Sequence, residues 1–202
     1  MKKVILITPK SNKIPNLEGF DYVGVDSGAL LLLKQGIPMS FAIGDFDSMS
    51  KEDYLFLSKH CNQIYKHPVQ KDETDSELAL RTCKELGYEQ VILWGAISGR
   101  LDHTMINILL LMHREEKLIL MDENQKVNLL PKGKHFLEAN YKHVSFFALE
   151  KTMISLHHFL YPLNRQIIDC EDLYLSSNHI VGSKGLVEIE YGRVLCIQSN
   201  LK

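Results

Sequence analysis

Carboxylates recur in this chain at spacings that suit a divalent cation and a phosphate. Asp45 and Asp47 lie two apart in Gly44-Asp45-Phe46-Asp47-Ser48. In an extended segment such residues point to one side, so the pair could present two carboxylates to one ion. Two like charges held that close repel unless a cation sits between them. Lys71-Asp72-Glu73-Thr74-Asp75 adds acids and a lysine at a helix start, a position that suits phosphate. Those acids also complement the helix dipole, so capping accounts for some of them. Ser98-Gly99-Arg100-Leu101-Asp102-His103 brings a guanidinium fork for phosphate oxygens and one more acid. A capping Asp102, a solvated Arg100 and a packed His103 fit the same residues. In Val25-Asp26-Ser27-Gly28-Ala29, Gly28 lets backbone approach a ligand, while Asp26 or Ser27 also reads as a plain helix cap. Each motif alone is weak. Together they supply acids plus Lys71 and Arg100 at successive strand ends, which describes a metal–phosphate site. Neither GxxxxGK[ST] nor GxGxxG occurs, so the phosphates would be held by metal and point charges rather than by a glycine cradle.

The elements that must position these residues alternate. Strands are expected at Val4–Thr8, Tyr22–Val25, Phe41–Ile43, Gln63–Lys66, Val91–Trp94 and Leu118–Met121. Helices are expected at Gly28–Gln35, about Ser50–Lys59, Thr74–Leu86 and Asp102–Arg114. Thr74 with Glu77 forms a capping pair, and Gly36 and Gly87 read as stops. The strand runs are apolar throughout, as for parallel strands covered on both faces. Strand–helix alternation implies a doubly wound, mainly parallel α/β domain, whose ligands bind beyond the carboxyl ends of the strands. After Asp122 the pattern changes to short strands, among them Lys126–Leu130, Val144–Leu149, Leu186–Tyr191 and Val194–Gln198. Gly192-Arg193 between the last two reads as a two-residue hairpin. The expectation is an α/β domain over residues 1–123 and a small antiparallel β-sandwich over 124–202.

Bulk properties narrow the partners. A net charge of -2 sets up no global field toward nucleic acid or anionic membrane, so a polyanionic ligand must be met locally. Four cysteines without a CxxC pair suggest neither a zinc site nor a disulfide framework. The N-terminal apolar run is too short for a secretion signal and no stretch approaches a membrane span, so a cytoplasmic protein is expected.

The motifs DSGA (26–29), GDFDS (44–48), KDETD (71–75) and SGRLDH (98–103), in that order, resemble those of the thiamine pyrophosphokinase family. Ser176-Ser177-Asn178-His179 and the stretch from Gly185 to Gly192 resemble its closing β domain. The likeness covers nearly the whole chain; the segment from Lys142 to Cys170 matches less clearly. It departs at Ser27 and Ser98, where the family motifs usually carry glycine. The resemblance implies transfer of a diphosphoryl group from ATP to thiamine, giving AMP and thiamine diphosphate, with Mg²⁺. It implies Asp45, Asp47, Asp75 and Asp102 at the metal, and Asp26, Gly28, Lys71, Asp72, Thr74, Arg100 and His103 around ATP. Ser177 and Asn178 would wall the thiamine pocket. A homodimer with active sites at the subunit interface is also implied. Three other readings fit some of the residues: a pyrophosphokinase for another heterocyclic alcohol such as a pterin, an aspartate-nucleophile phosphatase built on Asp45-Phe46-Asp47, and a thiamine- or nucleotide-binding sensor.

Overall fold

The computed structural model describes residues 1–11, 13–68, 73–113 and 117–201. The chain divides into two compact units: Met1–Leu110 with Leu120–Asp122, and Leu111–Ile119 with Glu123–Lys202.

Mostly apolar runs form the parallel strands: β1 (Lys3–Ile7), β2 (Asp21–Val25), β3 (Phe41–Gly44), β4 (Ile64–Lys66) and β5 (Gln90–Trp94) of the first unit, followed by β6 (Leu118–Met121), of which Leu120 and Met121 belong to it. Val4, Ile5, Leu6 and Ile7 are shut off from solvent, as a strand covered on both faces should be. Sheet order is β4-β3-β2-β1-β5-β6, and each pairing from β4 to β5 is parallel. The chain steps outward from β1 to β4 and then returns to β5 on the other side of β1. Strand order therefore reverses between β1 and β5, where a crevice opens beyond the carboxyl ends.

Four helices connect these strands: α1 (Gly28–Lys34), α2 (Lys51–His60), α3 (Asp75–Glu85) and α4 (Leu101–His113). Ser50 Oγ accepts from the Asp53 amide and Thr74 Oγ1 from the Glu77 amide, so α2 and α3 start on side-chain caps. Gly36 (φ 65) and Gly87 (φ 78) follow α1 and α3 in the left-handed conformation that closes helices. Asp102 lies within the first turn of α4 rather than capping it. Packing alone demands glycine at position 28, because a Cβ built on Gly28 would sit 2.0 Å from the Ile7 carbonyl oxygen. Its missing side chain lets the start of α1 rest on the end of β1.

The second unit is antiparallel. Its strands are β7 (Gln125–Leu130), β8 (Gly133–Glu138), β9 (His143–Ala148), β10 (Thr152–His157), β11 (Leu163–Ile168), β12 (Lys184–Tyr191) and β13 (Val194–Ser199). β13 pairs with β7 and β9, and β11-β10-β12-β8 form a separate sheet. Leu130, Val144, Phe146 and Val194 from the first set share one core with Leu137, Ile154, Leu156, Val187 and Ile189 from the second. That is a sandwich, one face of each sheet turned inward.

The hairpin reading at Gly192-Arg193 is wrong. β12 and β13 flank those residues but belong to different sheets and do not pair. Gly192 (φ 80) packs so tightly that its Cβ would meet Thr152 Oγ1 at 2.3 Å, and the Arg193 amide donates to that same oxygen at 3.2 Å. The turn is pinned to the start of β10, so the chain crosses between sheets instead of folding back. Among the described residues no helix is long and apolar enough to cross a membrane.

Gly28→Ala tests the α1–β1 contact. The added methyl overpacks backbone that cannot turn away, so a loss of about 1–3 kcal/mol is expected in urea unfolding. An unchanged midpoint would show that α1 does not need this close approach.

Candidate active site

The carboxyl ends of β1, β2, β3 and β5 meet the starts of α3 and α4 around a cavity of about 380 Å³. Thr8, Pro9 and Lys10 enter it from β1, Asp26 from β2 and Asp45 from β3. Glu73, Thr74, Asp75 and Ser76 come from the start of α3. Gly95, Ala96 and Ser98 follow β5, Arg100 directly precedes α4, and His103 and Asn107 lie on α4. This cavity lies over the β1–β5 reversal, where the topology requires a crevice.

The acids are placed by backbone geometry that ordinary residues avoid. Asp26 (φ 49) and Phe46 (φ 59) are both left-handed without being glycine. The Asp26 amide donates to Ile43 O at 2.8 Å, tying the end of β2 to β3. A Cβ on Gly44 would come within 3.0 Å of Asp26 Cα, so glycine there permits the approach. Phe46 is buried, packs on Tyr54 with ring centroids 5.7 Å apart, and roots the loop in the core. The extended Asp45–Asp47 pair read from spacing is replaced by a turn. The Asp47 amide donates to Asp45 Oδ1 at 3.1 Å, and Asp47 itself is exposed outside the cavity lining.

Asp26 is half-buried. Ser48 Oγ donates to its Oδ2 at 3.2 Å, while Oδ1 is enclosed without a hydrogen-bond partner. Burial raises its pKa above the usual carboxylate value, and the charges of Asp75 and Asp45 push the same way. Asp102 differs: Arg100 grips it through Nε (3.1 Å) and Nη2 (2.6 Å). That contact holds its pKa down to about 2, and both side chains stand well exposed. Glu73 pairs with Arg81 at 3.1 Å. Thr8 Oγ1 is buried with no partner.

The cavity thus gathers Asp26, Asp45, Thr74, Asp75, Arg100 and His103 of the residues singled out from sequence. Asp102 flanks it through Arg100, and Gly28 faces β1 rather than the cavity. Lys71 and Asp72 lie outside the described residues. In the second unit Ser177 is exposed, with its amide donating to Ser145 Oγ. Asn178 is buried; its Oδ1 accepts from the Tyr161 and His179 amides and its Nδ2 donates to Tyr161 O. Thr8, Lys10 and Asn107 were missed because no motif marks them; the β1-end position of Thr8 and Lys10 was the available signal. Ser27 (φ -65) and Ser98 both stay out of the left-handed region. Glycine is therefore not needed at either position, and Ser98 Oγ gains a bond to Asp122 Oδ2 at 3.0 Å.

Among the described residues no three His, Cys, Asp or Glu side chains form a ready-made metal cage. Magnesium needs none: it takes one or two carboxylates, retained waters and substrate phosphate oxygens. Hard carboxylate donors around one cavity, with Asp26 Oδ1 unpartnered, fit such an ion.

Asp26→Asn is expected to raise the thermal midpoint of the metal-free protein at pH 7. The folded-state pKa of Asp26 is raised, so the wild-type chain loses stability as pH climbs from the unfolded value of about 3.9 through the folded one. The gain from asparagine should be full at neutral pH and vanish below the unfolded value. Melting curves across pH check this; a destabilised variant at pH 7 would show the charge is not strained.

Two family models cover most of the chain: "Thiamin pyrophosphokinase, catalytic domain" over residues 21–121 and "Thiamin pyrophosphokinase, vitamin B1 binding domain" over 130–195. A thiamine pyrophosphokinase of Bacillus subtilis (strain 168) is 30% identical, with 98% of this chain and 99% of the relative aligned. A crystal structure of thiamine pyrophosphokinase from Bacillus subtilis superposes with a TM-score of 0.87 at 28% identity, covering all of both chains. A thiamin pyrophosphokinase family protein from Enterococcus faecalis also gives 0.87, at 26% identity and full coverage of both. The first model spans most of the α/β part and the second most of the sandwich, and the chain belongs to the thiamin pyrophosphokinase family.

Proposed function

We propose that this chain is a thiamine diphosphokinase that moves the diphosphoryl group of ATP onto the primary alcohol of thiamine. The carrying observation is the clustering of Asp26, Asp45 and Asp75 in one cavity at the sheet reversal, in a chain whose second unit matches a vitamin B1 binding domain. That second match favours thiamine over a pterin alcohol as acceptor. The catalytic-domain match and the acids around the cavity favour turnover over a binding-only sensor. A phosphatase with an aspartate nucleophile is disfavoured by the Asp45–Asp47 turn: it follows β3 rather than the first strand, and Asp47 is exposed and does not line the cavity.

In the reaction the alcohol oxygen forms a bond to the β-phosphorus. The bond from that phosphorus to the α–β bridging oxygen breaks, and AMP leaves with that oxygen. Magnesium, held by Asp45 and Asp75 together with phosphate oxygens, would neutralise charge on the transferring group. Asp47 would reach that ion through a neighbouring water, and Asp102 would do so on release from Arg100. Asp26 takes the alcohol proton: its burial makes it the more basic carboxylate, whereas Arg100 leaves Asp102 a poor base. Thr74 holds the start of α3, whose amides face the phosphates; Lys71 and Asp72 are assigned there with it on motif position. Arg100 and His103 border the same chain of phosphates. Ser177 presents polar surface to thiamine, and Asn178 fixes the Tyr161 segment that walls its pocket. We assign a homodimer, with each active site completed at the subunit interface, and a cytoplasmic location.

Asp45→Ala and Asp75→Ala are expected to cut AMP formation from ATP and thiamine by at least about 10²-fold, with circular dichroism unchanged. The wild type should release AMP only with thiamine present, and chelator should stop it. Near-normal turnover in either folded variant would overturn the metal assignment; AMP release with hydroxymethylpterin but not thiamine would overturn the acceptor.

A further inference from the structure

The sheet order separates charge across the cavity. Asp26, Asp45, Glu73 and Asp75 stand over β2, β3 and α3, whereas Lys10, Arg100 and His103 stand over β1, β5 and α4. A nucleoside triphosphate brings several negative charges, and one divalent ion on the acidic side cannot neutralise them all. The cationic side must then supply a contact of its own. Arg100 already carries two hydrogen bonds to Asp102. Lys10 is exposed, lines the cavity and has no ion pair among the described residues.

Lys10 is also aimed. It follows the carboxyl end of β1, at the strand reversal. Its stem lies over Gly99: a Cβ there would meet Lys10 Cε at 3.4 Å, Cδ at 3.5 Å and Cγ at 3.6 Å. Gly99 has φ 95, so glycine is required by conformation, and its bare Cα leaves the shallow track in which the lysine stem lies. An aliphatic stem laid on such a surface carries its ammonium forward into water while losing little freedom. Lys10 thereby lines the cavity from the end of β1, the strand next to β2 and away from β3.

We propose that Lys10 is a phosphate-binding residue for ATP, gripping the phosphate chain directly from the β1 side while the carboxylate side holds the metal-bridged part. This rests on the reading of ATP as diphosphoryl donor. Lys10 acts by binding and orientation; it takes no proton in the reaction.

Equilibrium titration calorimetry in magnesium, with thiamine omitted so that nothing turns over, tests the contact. Lys10→Gln should weaken ATP about tenfold and leave adenosine unchanged. Lys10→Arg should recover most of the ATP affinity, and all three proteins should melt together because the side chain is exposed. ATP affinity in Lys10→Gln within about twofold of wild type would overturn the proposal. Equal losses for ATP and adenosine would do so too, since they would mark a structural effect. The parent reading is judged separately, by AMP release from the wild type with thiamine: its failure would remove the transferase while leaving the ATP titrations to decide Lys10.

Discussion

Like charges crowded at one sheet edge are the constraint on which this structure turns. Asp26, Asp45 and Asp75 approach a common cavity from three elements, and Asp26 is half-buried with one oxygen unpartnered. A core built for stability alone would not gather acids this way, because burial and mutual repulsion both oppose ionisation. The arrangement makes sense when a cation and a polyanion arrive together. Under the proposed function, a divalent ion would replace lost solvent at the carboxylates, and substrate phosphates would add further oxygen ligands beside the waters it keeps. Functional sites commonly keep such unfavourable electrostatics, held in place by the surrounding fold.

What holds the acids is backbone. The left-handed conformations of Asp26 and Phe46 cost free energy and persist only where neighbours over-determine them. Those neighbours are visible. The Asp26 amide is bonded to Ile43, Gly44 admits the crossing chain, and the Phe46 ring is sunk between α1 and α2 side chains. An anchored phenylalanine between two aspartates turns the loop over a fixed pivot. The acidic loop is therefore anchored at its centre, with Asp45 in the cavity lining and Asp47 exposed outside it.

The parallel half of the fold was legible because its signals are local. Apolar runs, the Thr74–Glu77 cap and the glycines after α1 and α3 all act within a few residues of the elements they define. The sandwich was less legible. β11 buries only its last residue fully and leaves most of the strand exposed, so alternation barely registers. The turn at Gly192 failed as a hairpin signal because spacing encodes a reversal but not which sheet receives the next strand. That choice is made by Thr152, far back along the chain, and no local pattern reports it. For the candidate site, the motif residues Asp26, Asp45, Thr74, Asp75, Arg100 and His103 converge on one cavity. They overlooked Thr8 and Lys10, since the end of β1 carries no acid or glycine signature.

Motif membership also conceals a division of labour. Gly28 sits in the first acidic motif yet meets only the β1 backbone. Asn178 sits in the serine-rich motif yet commits its amide to the Tyr161 and His179 backbone. Both are fixed by a demand as strict as chemistry. At Gly28 any side chain would strike a carbonyl; at Asn178 an apolar replacement would leave partly buried amide and carbonyl groups without their partner. A motif holds such residues as firmly as it holds a catalytic acid, and sequence cannot separate the two kinds. The structure separates them, because an architectural residue has its polar atoms or its missing volume fully used inside the protein. Asp26, with Oδ1 unused and its charge disfavoured, is the opposite case. Unspent capacity inside the cavity, at Asp26 Oδ1 and Thr8 Oγ1, is what separates these two from the architectural residues.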